Sequence, residues 1–353
     1  MLDLKKSYKA LDVGTGPGFV AFEMSSKVAV SIGLDMNEHM LDIAVRKAED
    51  ENNYNVVFVK GDALSLPTGS GFVSVINTSN NLIIRNISVS SNPIGVAVSP
   101  LGNLVFVTNH GNSFVSVIDT NINKIIENIT VGVNPTGIAV NMNGSFAYAT
   151  SLGNGGVLSL INATNFSILN SFKVGGTPED IAINPSSNFI YVTQSSSNSV
   201  AVINSSLKLV KTIPVGNDPI GIAVSPDGRF AYVANNVSDT VSVINLSSYT
   251  VIDNISVGSA PNSIAVSPTG KSIYIVNDYS DNIYRINTSD YKNIAIINVG
   301  SSPAGLTINP NNNFVYVSNF NSNTVSVIST SSNSIVDSIT GFKNPQGIAD
   351  APQ

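Results

Sequence analysis

The chain has 353 residues, 42% of them apolar, enough for a sizeable core, yet only 11% are charged, against about 25% in an average soluble domain. A formal net charge of −6 argues against a nucleic acid or an anionic membrane as partner. With no cysteine and only His39 and His110 for imidazole, disulfides, thiolate metal sites and iron–sulfur clusters are excluded, and a zinc or haem centre is disfavoured.

Charge and amide content divide the chain at Pro67. Residues 1–67 carry 17 charged side chains and 4 asparagines, whereas residues 68–353 carry 23 and 42. Two parts of separate origin are expected, 1–67 and 68–353. The start, MLDLKKSYKA, has no apolar signal-peptide core, and no run approaches 18 apolar residues. As written the chain is expected to stay in the cytoplasm without inserting into a membrane, although its charge-poor, amide-rich second part suits an extracellular or cell-surface protein.

Residues 9–62 read as strand, glycine-rich turn, helix, strand, helix, strand, a small α/β Rossmann-like fragment. The apolar run Ala10–Val13 enters Gly14-Thr-Gly-Pro-Gly18, whose lack of Cβ atoms lets backbone approach a ligand closely. A second strand over 28–34 ends at Asp35. A helix is predicted from Glu38, capped by Asn37, with Met40, Leu41, Ala44, Val45 and Ala48 as its apolar stripe. Residues 55–59 form a third strand, followed by Gly61-Asp-Ala63.

The stretches LDVGTGPG, GLDMNEHML and GDALSLP resemble the cofactor-binding half of class I S-adenosylmethionine-dependent methyltransferases. The resemblance implies Asp12 near the methionine amino group and Gly14, Gly16 and Gly18 around the sulfonium. It also implies Asp35 on the ribose hydroxyls, Met36 against the adenine and Asp62 on its amino group. The later strands of that family, which carry its acceptor site, have no counterpart after Pro67. S-adenosylmethionine is therefore a cofactor by resemblance only, and no methyl transfer is expected.

From residue 68 onward the sequence repeats. Pro93, Pro135, Pro178, Pro219, Pro261, Pro303 and Pro345 precede short apolar runs at spacings of 42, 43, 41, 42, 42 and 42 residues, a period that signals four-stranded propeller blades. In one repeat, Gly221-Ile-Ala-Val224 is followed by the turn Ser225-Pro-Asp-Gly228, then Phe230-Ala-Tyr-Val233, Val241-Ser-Val-Ile244 and a run over 251–257. The third run occurs seven times from Val73, and the first run seven times up to Gln346-Gly-Ile-Ala349. A mainly β, seven-bladed propeller of four-stranded blades is predicted, its closing blade composed from both chain ends. That blade has no second strand after Ala349. Residues 55–60 resemble Asn103–Thr108 of a regular blade and can supply it; otherwise the blade has three strands.

Repeats reading VFVTN, YVAN and YVSN, with VSVI and PxGIAV elements, resemble the YVTN-type β-propeller repeat. The resemblance implies a surface or periplasmic binding module, and fold alone does not fix function. Asn109, Gln194, Asn235, Asn277 and Asn319 follow the second strands. If they face one end of the propeller they form a ring of amides fit for a carbohydrate or protein ligand; alternatively they cap their own loops. No catalytic residue is assigned, because no Ser/His/Asp set or acid/base pair is available, which also makes a lactonase-like hydrolase the least favoured reading. No metal is expected, since Asp278 and Asp281 lack further acidic neighbours. Glu179-Asp180 interrupts an otherwise apolar element and marks a possible binding position. Eleven N-x-S/T sequons lie in the repeat region: Asn77, Asn86, Asn128, Asn143, Asn162, Asn165, Asn204, Asn236, Asn245, Asn254 and Asn287. A monomer is expected.

Overall fold

The computed structural model describes residues 9–13, 30–34, 56–62 and 71–350, and the chain divides into two compact units, 1–55 and 56–353. In the first unit β1 (Lys9–Val13) and β2 (Val30–Leu34) pair in parallel, with Asp12 opposite Gly33. Parallel neighbours require a crossover connection. The helix predicted from Glu38 lies outside the described residues, and the described residues contain no α-helix, so two parallel strands are what they retain of the Rossmann-like pattern.

The second unit is built from four-stranded antiparallel sheets. It opens with β3 (Val56–Asp62), β4 (Gly71–Asn77) and β5 (Leu82–Val89). Six sheets follow, each continuous in sequence: β6 to β9 (93–130), β10 to β13 (135–173), β14 to β17 (178–214), β18 to β21 (219–256), β22 to β25 (261–298) and β26 to β29 (303–339). The last described strand is β30 (Ile348–Asp350). The expected seven-bladed ring is thus corrected to six blades that each close within one repeat. The remaining four-stranded sheet is composite, in the order β30-β3-β4-β5. Its second strand is β3, which pairs with β4 from Val56 opposite Asn77 to Asp62 opposite Gly71, and with β30 through Val57 opposite Asp350.

The period-two pattern of each strand sets its depth. Second strands are covered on both faces by neighbouring blades, and Phe106, Tyr191, Tyr232, Tyr274 and Tyr316 on them are 0 or 1% exposed. Each of these rings packs into the blade that follows. Tyr191 meets Ile222 and Val233, Tyr274 meets Leu306 and Val317, and Tyr316 meets Ile76 of β4 and Ile348 of β30. Val73 and Val75 of β4 pack in turn on Val105 and Val107 of β7. Aromatic burial of about 150–250 Å² per ring makes these contacts the main glue between blades.

Polar contacts fix how closely the blades approach. First strands carry a register shift just after the proline, as between Pro178 and Ile181. A hydroxyl from the second strand fills that irregularity. Thr108 Oγ1 accepts the Gly95 N–H at 2.7 Å and donates to the Thr136 carbonyl of the next blade at 2.7 Å. Thr193 Oγ1 accepts the Asp180 N–H at 2.9 Å and donates to Ile220 O at 2.7 Å. Ser318 does the same between Gly305 and Gln346. Ala234 and Val276 occupy the equivalent positions without a hydroxyl. Glycine follows from this closeness: a Cβ on Gly221 would stand 2.5 Å from Asn262 O, and one on Gly347 2.4 Å from Ile94 O.

Candidate functional site

The first strands surround a central channel, and at one mouth they leave a cavity of about 640 Å³. Its wall is set by the residue after each strand-opening proline: Ile94, Thr136, Glu179, Ile220, Asn262, Ala304 and Gln346. The backbone frame repeats while this one side chain varies, so each blade contributes its own chemistry to a common opening. A second set comes from the loops after the second strands: His110, Leu152, Asp278 and Phe320.

Carboxylates dominate the charged lining. Glu179, Asp180 and Asp278 reach the cavity, and neither lysine nor arginine lines it. Burial raises the Glu179 carboxyl above the usual range, partly offset by the Ser195 hydroxyl, which donates to Oε1 at 3.2 Å, while Asp218 and Asp180 push it further up. Asp180 stands where most other blades carry glycine and one carries Ser263. Burial holds it at about 6 even though it accepts the N–H of Ile181 at 2.8 Å and that of Ile222, in the next blade, at 3.1 Å. Burial likewise raises Asp278, against the Ser302 hydroxyl and with Asp281 adding to the rise, and Asp278 Oδ1 is buried without a hydrogen-bond partner. His110 places Nδ1 3.3 Å from Pro135 O. Among the described residues no cluster of three metal-ligating side chains occurs. Asp281 accepts the N–H of Ser302, in the loop leading into the next blade, at 2.8 Å.

The amides expected at this end are elsewhere. Asn109, Asn235, Asn277 and Asn319 are 0% exposed and Gln194 is 6% exposed. Asn235 Nδ2 donates to Thr240 Oγ1 and Ser242 Oγ, Asn319 Nδ2 to Thr324 Oγ1 and Ser326 Oγ, and Asn109 Nδ2 to Ser116 Oγ. Asn277 Nδ2 reaches Asn282 Oδ1, and Gln194 Nε2 reaches Val174 O. The four asparagines tie a loop to its own blade and Gln194 reaches the segment leading in from the preceding blade, so the structure corrects the ring of ligand-facing amides to a set of buried caps. After Asn109, Asn277 and Asn319 the next residues, His110, Asp278 and Phe320, line the mouth instead. Sequence reasoning singled out Glu179 and Asp180 but missed the other proline-adjacent positions. The signal available was variation at one site inside an otherwise repeated element.

Of the residues implied for S-adenosylmethionine, Asp12 lies in β1 and Asp62 ends β3; Gly14, Gly16, Gly18, Asp35 and Met36 lie outside the described residues. The resemblance needs the third strand beside the first two. β3 is instead paired with β4 and β30, so the described strands do not fit the cofactor half-site.

Residues 144–314 match the family model described as YNCE-like beta-propeller, and residues 10–90 match a methyltransferase domain model. The latter match runs through β4 and β5, beyond the compositional seam. Among curated proteins, the chain is similar to the protein-L-isoaspartate O-methyltransferase of Bradyrhizobium sp. (strain BTAi1 / ATCC BAA-1182), 28% identical over 119 residues, 31% of this chain and 55% of the relative. It is also similar to the demethylmenaquinone methyltransferase of Lactococcus lactis subsp. lactis (strain IL1403), 39% identical over 69 residues, 19% of this chain and 27% of the relative. The chain thus spans about half or less of the length of these relatives. Among solved structures, a functionally unknown protein from Desulfotomaculum acetoxidans DSM 771 superposes with a TM-score of 0.73 at 18% identity, covering 85% of this chain and 100% of that one. Kuenenia stuttgartiensis hydrazine synthase gives a TM-score of 0.63 at 18% identity, covering 74% and 92%. At that identity both likenesses concern fold alone. A YNCE-like β-propeller region and a methyltransferase-like region are therefore joined in one chain.

Proposed function

We propose that the propeller is a non-enzymatic binding module whose channel mouth takes a protein or peptide segment bearing a positively charged group. The observation that carries this reading is the composition of the cavity wall: three carboxylates, no lysine or arginine, and a buried Asp278 oxygen without a partner. Desolvated carboxylates of this kind are unfavourable alone and gain most from a cationic donor. The expected address is the cell surface, and a carbohydrate is the alternative ligand. The test is binding of the purified chain to matched lysine-rich, neutral and acidic peptides at low and high salt. Preference for the basic peptides, weakened by salt and by Glu179→Gln with Asp278→Asn, is expected. Equal binding to all three, or binding indifferent to the double substitution, defeats the reading.

A second reading, S-adenosylmethionine-dependent methyl transfer, is favoured by the match over residues 10–90. Against it stands the use of β3 in the propeller sheet. Calorimetric titration with S-adenosylmethionine separates the two: a low-micromolar dissociation constant lost on Asp35→Ala supports the second reading.

A further inference from the structure

The seven outermost strands expose aliphatic side chains on the rim, among them Leu82 at 54% and Ile252 at 49%. Three of these strands also carry a sequon: Asn86-Ile-Ser88 in β5, Asn128-Ile-Thr130 in β9 and Asn254-Ile-Ser256 in β21. In each the burial reads exposed, buried, exposed. The isoleucine anchors the strand in the core. The asparagine and the hydroxyl two residues on share the open face, as strand alternation requires.

The contacts of these asparagines engage only the amide oxygen. Ser74 Oγ donates to Asn86 Oδ1 at 2.6 Å, Ser116 Oγ to Asn128 Oδ1 at 2.7 Å and Ser242 Oγ to Asn254 Oδ1 at 2.8 Å. The internal serine thus orients the side chain while Nδ2 has no hydrogen-bond partner among the described residues. Packing explains the asparagine and the isoleucine. It does not explain Ser88, Thr130 and Ser256, whose hydroxyls make no hydrogen bond among the described residues. Asn77 differs: it is 1% exposed, its Nδ2 is buried, and its Oδ1 is held by Ser79.

We propose that Asn86, Asn128 and Asn254 are N-glycosylation sites on the propeller rim, and that Asn77 is excluded despite its sequon. The donor is an oligosaccharide linked to a lipid pyrophosphate. Asparagine Nδ2 forms a bond to the anomeric carbon, the bond from that carbon to the pyrophosphate oxygen breaks, the amide gives up one proton, and lipid pyrophosphate leaves. No oxidant or reductant is needed. The sugars stand beside Leu82, Ile126 and Ile252 on strands that are sheet edges, so they cover apolar surface and block edge pairing where charges are few.

The test is glycopeptide mass spectrometry of the full chain purified from the cells that naturally produce it. Hexose-containing adducts on Asn86, Asn128 and Asn254, with Asn77 bare, are expected. Thr130→Ala should remove the adduct from the peptide containing Asn128 although that asparagine remains, whereas Ser116→Ala should keep it. Unmodified peptides at all three rim sites overturn the proposal, and so does retention of the adduct in the Thr130→Ala chain. An adduct on Asn77 overturns the sorting by burial.

Discussion

The carboxylate of Asp180 accepts the backbone N–H of Ile222 in the neighbouring blade at 3.1 Å, at a position where most other first strands carry glycine. This contact joins two blades but keeps a carboxyl in a place where burial holds it at about 6, above its ordinary 3.8. Below pH 3.8 the folded and unfolded chains are both protonated there. As pH rises from about 4 through about 6, the unfolded chain releases its proton first, so the stability present in acid is lost and then stays level. Asp180→Asn removes that loss. Its melting temperature should match the parent near pH 3.5 and exceed it above pH 7; parallel curves across this range would show that Asp180 does not titrate as described.

Thr193 holds the same interface from the second strand. Thr193→Val keeps the volume but leaves the Asp180 N–H and the Ile220 carbonyl without their partner. A buried unsatisfied group costs about 1–3 kcal/mol. Chemical denaturation should register a loss of that size with an unchanged slope, while adding a hydroxyl by Ala234→Thr should not lower stability.

Tyr274 separates the contribution of the ring from that of its hydroxyl. The ring is 0% exposed and packs into the following blade, whereas the hydroxyl oxygen is buried without a hydrogen-bond partner. Tyr274→Phe should therefore be neutral or stabilising, and Tyr274→Ala should cost about 3–5 kcal/mol by opening a cavity between blades. Equal destabilisation by both changes, read from unfolding midpoints, would contradict the assignment.

β3 completes the composite sheet by pairing along the whole of β4 and with β30. A chain starting at residue 68 should fold as a β-rich protein but melt lower and aggregate more readily than one starting at residue 56, because β4 is left with an open edge. Identical melting and monomeric behaviour of the two would remove β3 from the propeller.

The repeat period, the four runs per repeat, the permuted ends and the turn residues were legible in the sequence because each is a local constraint repeated at 41 to 43 residues. Proline, glycine and the alternation of Val-Ser-Val-Ile report backbone geometry directly. The same local reading left residues 55–60 open between a third parallel strand and a second propeller strand, because a short β-branched run suits either sheet. Only the tertiary pairing, in which β4 and β30 present unpaired edges to be satisfied, decided between them.

The site was less legible for a related reason. Asn109, Asn235, Asn277 and Asn319 recur because every loop needs an internal cap, and recurrence alone cannot say which way an amide points. The structure turns them into their blades and puts the following residue at the mouth beside Glu179 and Asp180. Sequence by itself determined the repeating β frame, since hydrophobic period and turn chemistry act within a few residues. Which side chains share the channel mouth, and how far burial shifts their carboxyls, depends on first strands far apart in the chain converging on one axis, and only the tertiary structure decided that.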